Sequence, residues 1–372
     1  MVSSLLKGAF SLVLALVSIS VYAQCNGHSE LCDKRYNQVA YLTTHNAFNA
    51  GDDGFNLPNQ THGLTQQLEE GVRGLMLDVY DVNGVATAYH GYSFLGTATL
   101  ASNLTEIKDF LNANPNEIVT ILFETYITSN MMDTVLAQVG LKPIQHVQVL
   151  GEPWPTLQEM IDSDKRLVVF SDHNNAQPGQ DWYHYMWDFA VETNWENHTT
   201  SDFSCDFNRG DSINDLFIVN HFLSDATLGT GVFAQAQIIN QFDYFYNRMK
   251  GCQLEQQKFI NFPTVDFYEV GQTLEVVDSL NGILSSVGVA DASEYSFSVS
   301  PNPSNGIFKV KLNTSNQNST YSIYDISGKR ILNGSLNQSL NLDLSKKPQG
   351  LYFLSITNSN GTETIKLVNL PN

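Results

Sequence analysis

A chain of 372 residues has room for one large domain and a smaller one. Its 38 acidic residues against 19 basic ones give a formal charge of −19. That balance excludes a nucleic-acid partner, which needs clustered Lys and Arg, and offers no long-range attraction to an anionic membrane. An acidic protein that handles a phosphate must neutralise it locally, with a metal or a few placed cations.

Residues 1–23 read as a secretory leader: Lys7 in the n-region, the apolar core "AFSLVLALVSISV", and "VYA" before Gln24 as cleavage site. The apolar run is short for a bilayer span, which needs roughly 20 residues. An exported, soluble mature protein is therefore expected, in a compartment where cysteines pair. Cys25 is predicted to bridge Cys32, and Cys205 to bridge Cys252, one of the three connectivities that four cysteines permit. No CxxC spacing supports a thiolate metal site.

Along residues 24–290, apolar strand-like runs alternate with helical patterns. "VAYLTTH" reads as a strand, "THGLTQQLEEGV" as a helix, and "RGLMLDVYD" and "TAYHG" as strands. "LASNLTEIKDFLNANP" has helical apolar spacing and stops at Asn112 to Pro115; "EIVTILFETY" follows as a fully apolar strand. "TLQEMIDSD" and "KRLVVFSDH" repeat the pattern, then "FIVNHF", a helix from Ala234 to Lys250, "FINFPTVDFYEVG" and a last helix near "TLEVVDSLNGIL". About seven or eight such units predict an α/β fold, a (β/α) TIM-type barrel with its working groups at the carboxyl ends of the strands. His45, Asp78, His90, Glu124, Asp172 and Asp266 take those places. From residue 291 to 372 short alternating strands and Asn/Ser/Gly turns predict a small all-β sandwich without histidine or cysteine, so no catalysis is assigned to it.

Asn46, Asp78 and Glu124 offer hard oxygen ligands for Ca²⁺ or Mg²⁺, with Asp81 near enough in sequence to join them. The plainer reading of the carboxylates is turn or cap formation. His45 and His90 lie on different strands, and a barrel brings both to one mouth, where two imidazoles can act as base and acid. His62, His146, His184 and His198 are expected to be structural, while His173 and His221 stay open. Asp266 either orients His45 or caps its strand. The aromatic stretch "DWYHYMWDF" (181–189) is either an interfacial rim or a packed connection.

"THNAFN", "GVRGLMLDVYD", "YHG", "IVTILFE" and "FPTVDFYEVG", in this order over about residues 36–285, resemble the phosphatidylinositol-specific phospholipase C X-domain family. The resemblance implies a distorted (β/α) barrel that splits the glycerol–phosphate bond of an inositol phospholipid through a cyclic phosphate. It makes His45 the first active-site histidine and His90 the second, the general acid. In metal-free members the first histidine is the base, held by an aspartate that Asp266 matches; in calcium-dependent members it contacts phosphate and a metal-bound carboxylate takes the proton. His45-Asn46 and Glu124 follow the calcium pattern, and Tyr80 stands where metal-free members carry an arginine. Ca²⁺, with Mg²⁺ as alternative, is therefore expected on Asn46, Asp78 and Glu124. Met76 replaces a glutamate of the calcium enzymes, one anionic ligand fewer. Asp172 and Tyr268 are expected at the headgroup, which the missing basic residues point to as unphosphorylated phosphatidylinositol, a glycosylated form or a related diester.

"VSPNPSNGIFKV", "YSIYDISGKRIL" and "GLYFLSI" resemble the type A sorting domain of the type IX secretion system. That implies the type IX machinery as partner and a secreted or outer-membrane surface-attached product. A monomer with transient membrane-surface contact is expected. Two other functions are compatible with these residues. One is a glycerophosphodiester phosphodiesterase, from which Met76 and the His-Asn pair depart; the other is an inactive, surface-binding barrel.

Overall fold

A computed structural model of the chain describes residues 24–283 and 297–369, except 303, 313–318, 326–328 and 359–360. The leader expected over 1–23 lies outside the described residues. Two compact units divide between Leu284 and Ser285.

The first unit carries strands β1 (Thr43–Thr44), β2 (Gly74–Val82), β3 (Val85–Ala88), β4 (Ala98–Thr99), β5 (Val119–Tyr126) and β6 (Leu167–Ser171). They are followed by β7 (His184–Tyr185), β8 (Ala190–Thr193), β9 (Phe207–Arg209), β10 (Leu216–Asn220) and β11 (Phe262–Val265). The helices are α1 (Leu64–Glu69), α2 (Leu100–Ala113), α3 (Ser129–Val139), α4 (Leu157–Asp162), α5 (Met186–Phe189), α6 (Phe233–Ile239), α7 (Phe242–Gln256) and α8 (Thr273–Asn281). The strand order is β7-β6-β5-β2-β1-β11-β10-β8-β9, parallel from β7 to β8, with β9 antiparallel. β3 and β4 hang off β2 as an antiparallel flap. Among the described residues no ladder joins β7 to β9. The result is a mixed α/β unit whose curled parallel sheet is open along one seam.

β6, β10 and β11 are buried at every residue, as strands covered on both faces must be. Inside the curl, Tyr36 stacks on Trp154 with centroids 4.6 Å apart, and Tyr41 on Phe262 at 5.7 Å. The Tyr36 hydroxyl meets Thr120 Oγ1 at 2.6 Å, near the start of β5. This aromatic plug fills the amino ends of the strands and leaves the carboxyl ends open.

Three expectations about elements change. Of "VAYLTTH" only Thr43–Thr44 form a ladder; Val39 to Leu42 run buried and bond to loops, as where Tyr41 N donates to Asn261 O at 2.7 Å. α3 was not foreseen. The helix expected over Ala234–Lys250 is two helices, broken at Asn240 and Gln241. The break serves the site, because Asn240 Nδ2 donates to the carbonyls of Asp266 (2.9 Å) and Phe267 (3.2 Å).

Both disulfides form as predicted, Cys25–Cys32 and Cys205–Cys252. The second ties the segment before β9 to α7 across 47 residues. Replacing Cys205 and Cys252 together by serine is expected to cost about 4 kcal/mol of stability on loop-closure grounds. A denaturant midpoint equal to that of the wild type would contradict this.

The second unit has sheets β12 (Phe297–Ser300), β13 (Ile307–Leu312), β16 (Ser339–Asp343) and β15 (Arg330–Leu336), β14 (Ser319–Asp325), β17 (Gly350–Asn358), β18 (Gly361–Asn369), all antiparallel. β13 alternates exposed and buried residues along its length, and Phe308, Val310, Ile323, Leu354 and Leu367 meet in a core of their own.

Candidate active site

At the carboxyl ends of the strands lies a cavity of about 540 Å³, and His45, Asp78, His90, Glu124 and Asp172 all line it. Five of the six strand-end residues predicted from sequence thus share one space. The sixth, Asp266, stands behind His45.

His45 follows β1 directly. Its Nδ1 lies 2.9 Å from Asp266 Oδ1, and Asn59 Nδ2 donates to both oxygens of that carboxylate at 3.2 and 3.1 Å. Asp266 is 2 % exposed, so this pairing satisfies a charge taken out of water. Donation from Nδ1 leaves Nε2 as the basic nitrogen, and Asn46 Nδ2 sits 3.2 Å from it. The imidazole face rests on Phe222 with centroids 3.8 Å apart and planes 7° from parallel. Gln60 fastens the local backbone, its Nε2 donating to the carbonyls of His45 and Val265 at 2.8 and 3.1 Å.

His90 follows β3. Its Nδ1 lies 3.1 Å from Asp78 Oδ2, and its Nε2 lies 3.1 Å from the Gly229 carbonyl. Two acceptors for two nitrogens suit the doubly protonated ring. Burial works against that charge, but the bond and charge of Asp78, then the Gly229 carbonyl, outweigh it and raise the proton affinity of His90. The rings of His45 and His90 are 6.2 Å apart and steeply inclined at 74°.

Asp78 and Glu124 are register partners on β2 and β5. Burial and then the charge of Asp78 raise the proton affinity of Glu124, while Tyr126 Oη donates to Glu124 Oε1 at 2.5 Å. Two crowded carboxylates of this kind suit a divalent cation. Asn46 Nδ2 lies 3.1 Å from the same His90 nitrogen that meets Asp78, so turning this amide brings a third oxygen to the place. Among the described residues no three His, Cys, Asp or Glu side chains converge as a metal cluster. A cation would therefore take two carboxylates and complete its shell with the amide, substrate and water. Met76 lines the cavity and adds only a thioether. Asp81 is elsewhere, its Oδ1 accepting from Gly84 N at 2.7 Å in the Asn83-Gly84 hairpin turn, where φ is positive at both residues.

Residues 31–281 match the PI-PLC X family. The chain belongs to that family. A PI-PLC X domain-containing protein of Arabidopsis thaliana is 30 % identical over 66 % of this chain and 62 % of its own length; the chain thus spans less than two thirds of that relative. PI-PLC X domain-containing protein 1 of Arthroderma benhamiae is 28 % identical over 73 % of this chain and 96 % of its own length. Among solved structures, a phosphatidylinositol-specific phospholipase C from Staphylococcus aureus is similar at 14 % identity and a TM-score of 0.46, covering 66 % of this chain and 94 % of that one. Residues 298–369 match the secretion system C-terminal sorting domain, which marks this PI-PLC X protein for export by the type IX machinery and for the cell surface.

The remaining expectations separate cleanly. Asp172 lines the cavity, its Oδ1 accepting from Thr125 N at 2.8 Å and facing His173 Nδ1 at 2.9 Å. Tyr268 does not reach it: Phe267 turns the chain with φ 48°, and Tyr268 is buried with its hydroxyl donating to Glu70 Oε2 at 2.6 Å. His221 is buried between Phe203 and Phe245 and is not among the residues lining the cavity, and burial and Arg248 lower its proton affinity. His198, expected to be structural, lines the cavity while its Nδ1 sits 3.0 Å from Ser224 O. In "DWYHYMWDF", Trp182 and Tyr183 are buried, so the packed-connection reading holds for them, whereas Trp187 lines the cavity. Sequence reasoning missed Asn59, Asn240, Phe222 and Arg209. Only Arg209 carried a signal, being the one Lys or Arg between Arg166 and Arg248.

Proposed function

We propose that this PI-PLC X protein is a secreted phosphodiesterase that splits the glycerol–phosphate bond of an inositol phospholipid by way of a cyclic phosphate. The observation that carries the reading is the unlike pair of histidines on one cavity, 6.2 Å apart. His45, with Nδ1 tied to Asp266, presents a basic Nε2 to accept the proton of the attacking hydroxyl. His90, whose proton affinity is raised by Asp78 and the Gly229 carbonyl, gives its Nε2 proton to the departing glycerol oxygen. For that donation the Gly229 carbonyl must yield its place to substrate. Asp78, Glu124 and Asn46 would hold Ca²⁺, or Mg²⁺, which when bound supplies positive charge to a phosphoryl oxygen. Asp172, Glu192, Glu196 and Asp225 on the cavity wall accept hydrogen bonds from a polyol and repel further phosphates, which favours an unphosphorylated headgroup.

The mature chain, residues 24–372, incubated with phosphatidylinositol is expected to release diacylglycerol and inositol cyclic phosphate. Phosphatidylcholine and phosphatidylinositol bisphosphate should be poor substrates, and chelator should lower the rate with recovery on Ca²⁺. Glycerol phosphate from water-soluble diesters, with no diacylglycerol from phosphatidylinositol, would replace this reading by the glycerophosphodiesterase one.

A further inference from the structure

The cavity wall is acidic, yet one cation is built into it. Among the described lining residues Arg209 is the only Lys or Arg, facing Asp78, Glu124, Asp172, Glu192, Glu196 and Asp225. It ends β9, the strand added outside β8. Its Nε donates to Glu192 Oε1, and Glu192, buried at 2 % exposure, turns its other oxygen to Asn220 Nδ2 at 3.2 Å. The guanidinium lies over the Trp187 ring, 4.4 Å from its centroid. Beyond it Gly210, at φ +83°, runs so close to β8 that a Cβ would fall 2.0 Å from the Ala190 carbonyl oxygen, so the path of the strand is fixed.

One edge and one face of the guanidinium are thereby held, while the terminal Nη1 and Nη2 donate to nothing among the described residues and the side chain is 40 % exposed. A fork fixed on one side with two free donors is pre-organised for two oxygens of a tetrahedral anion. We infer that Arg209 is the resident phosphoryl anchor of this cavity, gripping the diester through Nη1 and Nη2 whether or not a metal is bound. The inference rests on the reading of the cavity as a phosphodiester site. It also answers the tyrosine at position 80: the cation has been supplied from β9 instead of β2.

Inorganic phosphate added to the chelator-treated mature chain, followed by tryptophan emission with Trp187 as the ring under the guanidinium, tests this. Saturable binding is expected in the wild type, weakened about tenfold or more in Arg209→Gln and partly kept in Arg209→Lys. The double variant Glu192→Gln/Arg209→Gln removes both charges, so that no buried carboxylate is orphaned, and it should lose affinity to the same extent. Wild-type affinity in the double variant, or no saturable binding by the chelated wild type, overturns the inference. With phosphatidylinositol, Arg209→Gln should raise KM by a larger factor than it lowers kcat. The phosphate titration needs no turnover; lost affinity in Arg209→Gln beside an inert wild type would retain the anchor and reject the proposed reaction.

Discussion

His45→Ala and His90→Ala are each expected to lower phosphatidylinositol turnover by about 10²- to 10⁴-fold, the range for a lost general acid or base. Neither change should unfold the barrel. With His45 gone, Asn59 still donates to both oxygens of Asp266; with His90 gone, Asp78 still lines the cavity, where water can take the place of the imidazole. Circular dichroism and thermal midpoints close to wild type are thus part of the expectation. Asp266→Asn should follow His45→Ala in direction, because an amide that donates to Nδ1 moves the ring proton to Nε2 and blocks the base. Near-normal rates in either alanine variant would end the two-imidazole mechanism.

Acid is expected to destabilise the first unit through His184, on the far side of β6 from the chemistry. Its Nδ1–H donates to Val169 O at 2.9 Å and its Nε2 accepts the Gln148 N–H at 2.9 Å, so a second proton would set two N–H groups against each other. Burial chiefly, with His146 nearby, lowers its pKa to about 4. A histidine lowered in the folded state favours the unfolded chain once protonated. Stability is therefore complete above the ordinary histidine range and falls as pH drops below about 6.5. At pH 4 the loss from this one residue is about 3 kcal/mol. Burial raises the carboxyl of Glu192, which pulls the other way over its own range, so the informative comparison is wild type against His184→Gln. Denaturation free energies at pH 7 and pH 4 should differ less in the variant; an identical acid slope would contradict the assignment.

The sequence revealed the parts of this protein that repeat or alternate. Apolar runs such as Ile121 to Phe123 and Leu167 to Phe170 read as strands covered on both faces, and the carboxylates just past them, Glu124 and Asp172, line the cavity. Pairing each cysteine with its neighbour in the chain, one of three possible connectivities, gave both disulfides. Residues that act through long-range contact were invisible. Asn59 meets Asp266 from 207 positions away, and an asparagine in a loop has no periodicity to betray it. Tyr268 failed as a headgroup contact because a positive φ at Phe267 redirects the chain, a conformation that phenylalanine gives no reason to expect. The break between α6 and α7 was hidden for a related reason: the apolar pattern runs through it, and only the grip of Asn240 on Asp266 explains it.

The sheet's unclosed seam divides the cavity into two kinds of wall. Asp78 and Glu124 project from strands locked to neighbours on both sides, and His45 directly follows another, so that a shift of one residue would turn every side chain over. Arg209 and Trp187 belong to the bordering pieces, β9 and α5, which carry no such obligation on their outer edge. Under the proposed function, headgroup preference would therefore drift by substitution along that border while the reacting atoms keep their coordinates, which makes the gap the natural place to redirect the cavity toward a different diester.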